Sequence, residues 1–166
     1  MGTTALIPVH EYLSTSYSPD REYVDGIVLE RNAGEKPHSK LQRILILVLS
    51  RKYPELHIWP ELHMKTVGDR HRIPDVCVTL SEPDGDVLQE APFLAIEILS
   101  PEDSMTRVIE KLEEYAAIGT PNIWLLDPRL RQMFAFEANT LRLATALLAS
   151  TSDLRIELTP EEIFKD

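Results

Sequence analysis

Pro92-Phe93-Leu94-Ala95-Ile96-Glu97-Ile98-Leu99 is an almost continuous apolar run broken by one carboxylate. Continuous rather than alternating hydrophobicity is the mark of a strand covered on both faces. A helical pattern follows, with Val108, Leu112, Tyr115 and Ile118 on one side, and it stops at Gly119 and Pro121. Residues 122–127 then return to strand character. Strand, helix and strand in that order predict a right-handed parallel crossover over residues 92–127.

The segments around this unit extend the pattern. Residues 8–13 read as a short helix, and residues 21–24 and 27–30 as two strands joined by Asp25-Gly26, the dipeptide of a type I′ hairpin. Residues 38–53 carry Leu41, Ile44, Leu45, Val48 and Leu49 at helical spacing and stop before Pro54. Residues 57–67 alternate as one strand, residues 68–70 turn, and residues 73–80 run back. Residues 132–136 complete the main strand pattern, residues 141–148 suit a strand or a helix, and Thr159-Pro160-Glu161-Glu162 carries the residues of a capped closing turn. The expected fold class is α/β or α+β, with a mixed central sheet flanked by helices.

At 166 residues the chain is long enough for one proper core, so residues 1–166 are read as one domain. Its 43% hydrophobic and 27% charged residues are ordinary globular values, with no linker or low-complexity tract. The longest apolar stretch, residues 44–49, is six residues, and residues 1–8 lack a signal-peptide pattern. The expectation is a soluble, cytoplasmic protein with no membrane partner. Cys77, the sole cysteine, is expected as a small core residue.

Charge weighs against indiscriminate nucleic-acid binding. With 27 Asp and Glu against 17 Lys and Arg, the net charge is -10, which opposes phosphate neutralisation unless the basic groups gather on one face. Two basic groups stand out: Lys36, His38, Lys40 and Arg43 at a helix start, and Arg70, His71 and Arg72 before Asp75. Each reads either as solvated surface or as a source of phosphate contacts, for which His38 and Arg72 are the candidates.

Three charged residues interrupt segments that otherwise read as core: Asp75 in Ile73-Pro74-Asp75-Val76, Glu97, and Lys111 in Ile109-Glu110-Lys111-Leu112. A charge facing a core is costly unless it is paired or binds a metal. On a helical projection Lys111 falls between Tyr115 and Ile118, towards the sheet, with Glu110, Glu113 and Glu114 on the opposite side. Two carboxylates converging from neighbouring strands suit Mg²⁺, which takes few protein carboxylates and completes its shell with water and phosphate. Lys111 is then suited to stabilising negative charge developing on phosphorus. The alternative is a strand-end ion pair with no chemistry.

The ordered series Glu22-Tyr23-Val24-Asp25-Gly26, His38, Arg72-Ile73-Pro74-Asp75-Val76, Ile96-Glu97-Ile98-Leu99-Ser100-Pro101, Lys111 with Tyr115, and Trp124-Leu125-Leu126-Asp127-Pro128 spans nearly the whole chain. It resembles the PD-(D/E)XK nuclease superfamily, and more narrowly the restriction-endonuclease-like Uma-two family. The residue two after Glu97 is Leu99 where the superfamily pattern has lysine, and Lys111 matches a lysine that has migrated to the following helix. The resemblance implies a restriction-endonuclease-like fold and a DNA endonuclease using Mg²⁺ or Mn²⁺. It assigns the metal to Asp75, Glu97 and the Ile98 carbonyl, catalysis to Lys111, and a further acidic role to Glu22. It also implies a homodimer, in keeping with one site per DNA strand. Two other functions stay open: a catalytically inactive relative serving as an interaction module, and a phosphodiesterase for small nucleotides, which tolerates negative charge better.

Other motifs are absent or weaker. His57, Trp59, Glu61 and His63 share one strand face at period two, which makes a His/Glu/His zinc site geometrically conceivable, and Glu61 also falls near the proposed nuclease centre. None of the six glycines forms a dinucleotide fingerprint or P-loop, and there is no G-x-S-x-G elbow.

Overall fold

A six-stranded mixed sheet with both faces covered organises the molecule, seen in a computed structural model that describes residues 5–32 and 34–165. Helix α1 (Val9–Ser14) precedes strands β1 (Arg21–Val24) and β2 (Ile27–Glu30), then helix α2 (Lys36–Lys52). Strands β3 (His57–Pro60), β4 (Met64–Lys65), β5 (His71–Arg72), β6 (Val76–Thr79) and β7 (Leu94–Ile98) lead to helix α3 (Met105–Ala117). Strands β8 (Asn122–Asp127), β9 (Gln132–Glu137), β10 (Thr140–Ala144), β11 (Leu147–Ser150) and β12 (Arg155–Leu158) precede helix α4 (Pro160–Ile163).

The main sheet runs β10-β9-β8-β7-β6-β3, and within it only β7 and β8, joined through α3, are parallel. This is the parallel crossover expected of residues 92–127. Period-two alternation sends Val76, Val78, Leu94, Ile96, Trp124 and Leu126 to one face, where they pack with Leu41, Leu45 and Leu49 of α2. Cys77, Ala95, Ile123 and Leu125 face the other way, against Val108, Leu112 and Tyr115 of α3. Asp75 and Glu97 have the parity of Cys77 and Ala95, so they belong to the α3 face. Cys77 is wholly buried, and burial pushes its thiol up to about 12.

A smaller antiparallel sheet, β2-β1-β5-β4, flanks the first. Asp25 and Gly26 turn its hairpin with φ of 50° and 90°, the paired positive values of the expected type I′ geometry. Helix α2 carries the chain from the smaller sheet into the main one, and two further crossings follow. The chain leaves at Glu61, whose φ is 51°, and returns through Ile73-Pro74-Asp75.

These crossings correct two expectations. Residues 57–67 are two strands in different sheets, since the left-handed backbone at Glu61 ends the alternation. The strand of residues 73–80 begins only at Val76, after the proline. Residues 141–148 fall in two strands, and β12, which the pattern did not announce, pairs with β11 to cover the α2-side core. Glu162 accepts the Thr159 N–H at 2.9 Å, as the closing capping box requires. Among the described residues no helix is long and apolar enough to cross a membrane.

Candidate active site

Strand register brings the two interrupting acids together. Val76 pairs with Ile96 in the β6–β7 ladder, so one more step sets Asp75 across from Glu97, and the Ile98 N–H donates to Asp75 Oδ2 at 2.7 Å. On the other side Pro60 pairs with Val76, and Glu61 N–H donates to the Asp75 carbonyl at 3.3 Å. Helix α2 fixes Asp75 from above with two residues one turn apart. Gln42 donates to its backbone carbonyl at 2.8 Å, and His38 Nε2 lies 3.2 Å from Oδ1. Arg31 reaches the same Oδ1 at 3.2 Å and Glu61 at 3.6 Å.

Lys111 crosses from α3 to the same point. Its ammonium lies 2.9 Å from Glu22 Oε1 and 3.0 Å from Glu97 Oε2, while the Tyr115 hydroxyl donates to Glu97 Oε1 at 2.6 Å. Glu22 arrives from β1 in the smaller sheet and also accepts the Ile73 N–H at 3.0 Å. Glu22, His38, Arg72, Asp75, Glu97, Ile98 and Lys111 thus line one open cleft of about 130 Å³.

A single ammonium serves two carboxylates here, and they divide it unequally. Burial opposes ionisation of Glu22, but Lys111, Arg72 and the Ile73 N–H prevail and hold it down to about 2. Glu97 has less help: burial, with Asp75 and Glu22 adding to it against the pull of Lys111, pushes its carboxyl up to about 7. Asp75 stays below the ordinary carboxylate range, since His38, Lys111 and the Ile98 N–H outweigh burial. Burial lowers His38 and the Asp75 carboxylate more than compensates, leaving it raised. Lys111 is likewise raised by its acids despite burial.

Behind the cleft stands a second set of buried ions. Arg72, only 4% exposed, donates through Nη1 to Glu22 at 3.1 Å and through Nε and Nη2 to Glu114 at 2.9 and 2.6 Å. Glu114 also accepts from Arg70 and the Thr66 hydroxyl, both at 2.8 Å. The solvent-facing side expected for Glu114 is therefore corrected. It lies on the flank of α3 that the smaller sheet covers, and β5 supplies its arginine. Arg72, expected as a phosphate contact, lines the cleft with its guanidinium committed to two glutamates. Arg31 was not anticipated, because nothing in the local pattern ties residue 31 to Asp75.

The donor set fits a hard divalent cation. Asp75 and Glu97 offer oxygens, and the high proton affinity of Glu97 marks negative charge that Lys111 alone does not neutralise. Among the described residues no three His, Cys, Asp or Glu side chains form a ready metal cage. Mg²⁺ tolerates this, since it keeps water and substrate oxygens in its shell, whereas a structural zinc site does not. The His57/Glu61/His63 zinc arrangement is removed by the break at Glu61, and His63 instead lies 3.6 Å from Asp20.

A solved structure shares this architecture. A crystal structure titled as a putative nuclease belonging to DUF820, from Anabaena variabilis, superposes with a TM-score of 0.80 and 25% identity, covering 95% of this chain and 97% of its own. A cryo-EM DrdV–DNA complex overlaps 72% of this chain and 12% of its own at a TM-score of 0.38 and 14% identity, too remote to carry an argument. No curated protein sequence matches. The profile of the Uma2 family, described as "Putative restriction endonuclease", matches residues 10–164, a span that includes all of the cleft residues. The chain belongs to the Uma2 family.

Proposed function

We propose that this protein is a Mg²⁺-dependent endonuclease, able also to use Mn²⁺, that hydrolyses phosphodiester bonds in DNA as a cytoplasmic homodimer. The observation that carries the reading is the convergence of Glu22, Asp75 and Glu97 on Lys111 in one open cleft, with Glu97 short of positive partners. Asp75 and Glu97, with the Ile98 carbonyl, would hold the cation. Bound there, it supplies water of lowered pKa and neutralises phosphate charge. Lys111, kept charged by its acids, stabilises the negative charge that grows on the phosphoryl oxygens during in-line attack. Glu22 aims Lys111, Arg72 holds Glu22, and His38 orients Asp75 at the side where substrate phosphate enters.

Two experiments test this. Divalent cation should raise the melting temperature of the wild type and leave Asp75→Ala unmoved, because only a native-state ligand stabilises. Wild type should nick plasmid with Mg²⁺ or Mn²⁺, and Lys111→Ala should lose about 10²–10³-fold in rate. Melting indifferent to metal together with intact plasmid overturns the proposal in favour of an interaction module. Hydrolysis confined to dinucleotides, which the acidic surface would favour, makes it a small-nucleotide phosphodiesterase instead.

A further inference from the structure

Helix α2 separates the carboxylate cleft from a second one of about 310 Å³. Lys36, Lys40, Arg129, Arg131 and Lys165 line it, and no acidic residue does so among those described. In a chain with only 17 basic residues and a net charge of -10, this is a marked segregation of positive charge. We propose that this second cleft binds the sugar–phosphate backbone of duplex DNA, next to the phosphodiester that the carboxylate cleft receives. The proposal rests on the nuclease reading and extends it to how an acidic protein retains a polyanion.

Helical geometry supports one continuous path. Lys36 and Lys40 are one turn apart on one side of α2, while His38, about 200° round the axis from Lys36, faces Asp75 on the other. Arg129 lies two residues past the end of β8, whose Leu126 carbonyl accepts the Leu99 N–H at 2.8 Å just past Glu97 and Ile98. Both clefts therefore lie at the same end of the main sheet. An α-helix with its side chains is about 10–12 Å across. Duplex DNA rises about 3.4 Å per base pair, so the helix spans about three steps.

The Lys36, Lys40 and Arg129 charges are open to solvent, whereas the Arg131 guanidinium donates to the Phe164 carbonyl. Among the described residues no ion pair engages Lys36 or Lys40, and both are exposed. Arg129 meets Glu35 at 3.1 Å, but both side chains are about half exposed, the kind of surface pair that exchanges readily for phosphate. Glu35 caps α2, and the first turn after it carries no further acid.

The test is binding of a fluorescein-labelled duplex in EDTA, where cutting is suppressed, across a salt series. Wild type should bind with a log K that falls linearly against log salt. Lys36→Ala/Lys40→Ala should reduce that slope by about 1.8, about 0.9 for each phosphate no longer neutralised, and weaken low-salt binding about tenfold. Arg129→Ala should reduce it by about 0.9, the share of a single phosphate. Wild-type binding with an unchanged slope in the double variant overturns the proposal, as does no duplex binding at all. Loss of inorganic phosphate binding in the double variant with duplex binding unchanged would identify a small-anion site and also overturn it. Plasmid cutting is scored separately through Lys111→Ala, so failure of the chemistry and failure of the cleft give different results.

Discussion

Glu97 and Glu114 are two buried glutamates on the same side of the main sheet, 8% and 5% exposed, and they respond to burial in opposite ways. Glu114 is met by Arg72, Arg70 and Thr66 and stays ionised below the usual range. Glu97 receives one shared ammonium and one hydroxyl, faces Asp75 and Glu22, and keeps its proton up to about 7. Desolvation is a cost common to both, so the number and sharing of partners decides the outcome. One carboxylate is closed into a structural knot. The other shares its one ammonium with Glu22, and a raised proton affinity is the result.

The strongest way to break this contrast is Glu114→Ala. It leaves Arg72 with Glu22 as its one remaining carboxylate in a dry environment and should cost about 3–5 kcal/mol in urea unfolding. A near-neutral result would mean that Arg72 finds solvent and that Glu114 is no anchor.

A smaller effect comes from pH. Glu97 has a folded value near 7 against an ordinary 4.5, so the folded state binds its proton more tightly. That contribution is complete below about pH 4.5 and is lost as pH rises through 7. Glu22, held to about 2, acts in reverse: its contribution is present above 4.5 and is lost as pH falls through 2. Without divalent cation, stability should therefore fall between pH 5 and 8 by on the order of 2–3 kcal/mol from Glu97. His38, raised above its ordinary 6.5, adds loss in the same direction at the upper end. Glu97→Gln should flatten the lower part of the fall in thermal melts, and an unaltered profile would refute the assignment.

The smallest effect sharpens the picture at Asp75. Oδ2 accepts the Ile98 N–H and Oδ1 is shared by Arg31 and His38, so a cation approaching Oδ1 would compete with both. Arg31→Gln removes one charge-assisted interaction, worth about 1.5 kcal/mol. It should lower the Mn²⁺ concentration at the midpoint of the melting-temperature rise about tenfold. A midpoint that stays put or rises would show that Arg31 does not compete with metal.

Much of this was legible because burial punishes misplaced charge. Asp75, Glu97 and Lys111 stood out as charged residues in apolar patterns, and the crossover of residues 92–127 followed from strand and helix periods alone. The unreadable parts depend on backbone or tertiary partners. Alternation over residues 57–67 does not reveal that Glu61 adopts a left-handed conformation and hands the chain to another sheet. A helical projection of α3 sets Glu114 towards solvent, and only the docking of β5 makes that flank interior. Arg31 reaches Asp75 across 44 positions, a distance no local pattern encodes. The hairpin of β11 and β12 is short and partly polar, so its strand period is weakly stamped on the sequence.

Glu22 belongs to one sheet, while Glu97 and the ladder that fixes Asp75 belong to the other, and Lys111 bridges the seam between them. A chain that has assembled either half alone cannot gather the full acid set around the ammonium. The complete cluster is therefore available only to a chain in which both sheets have docked.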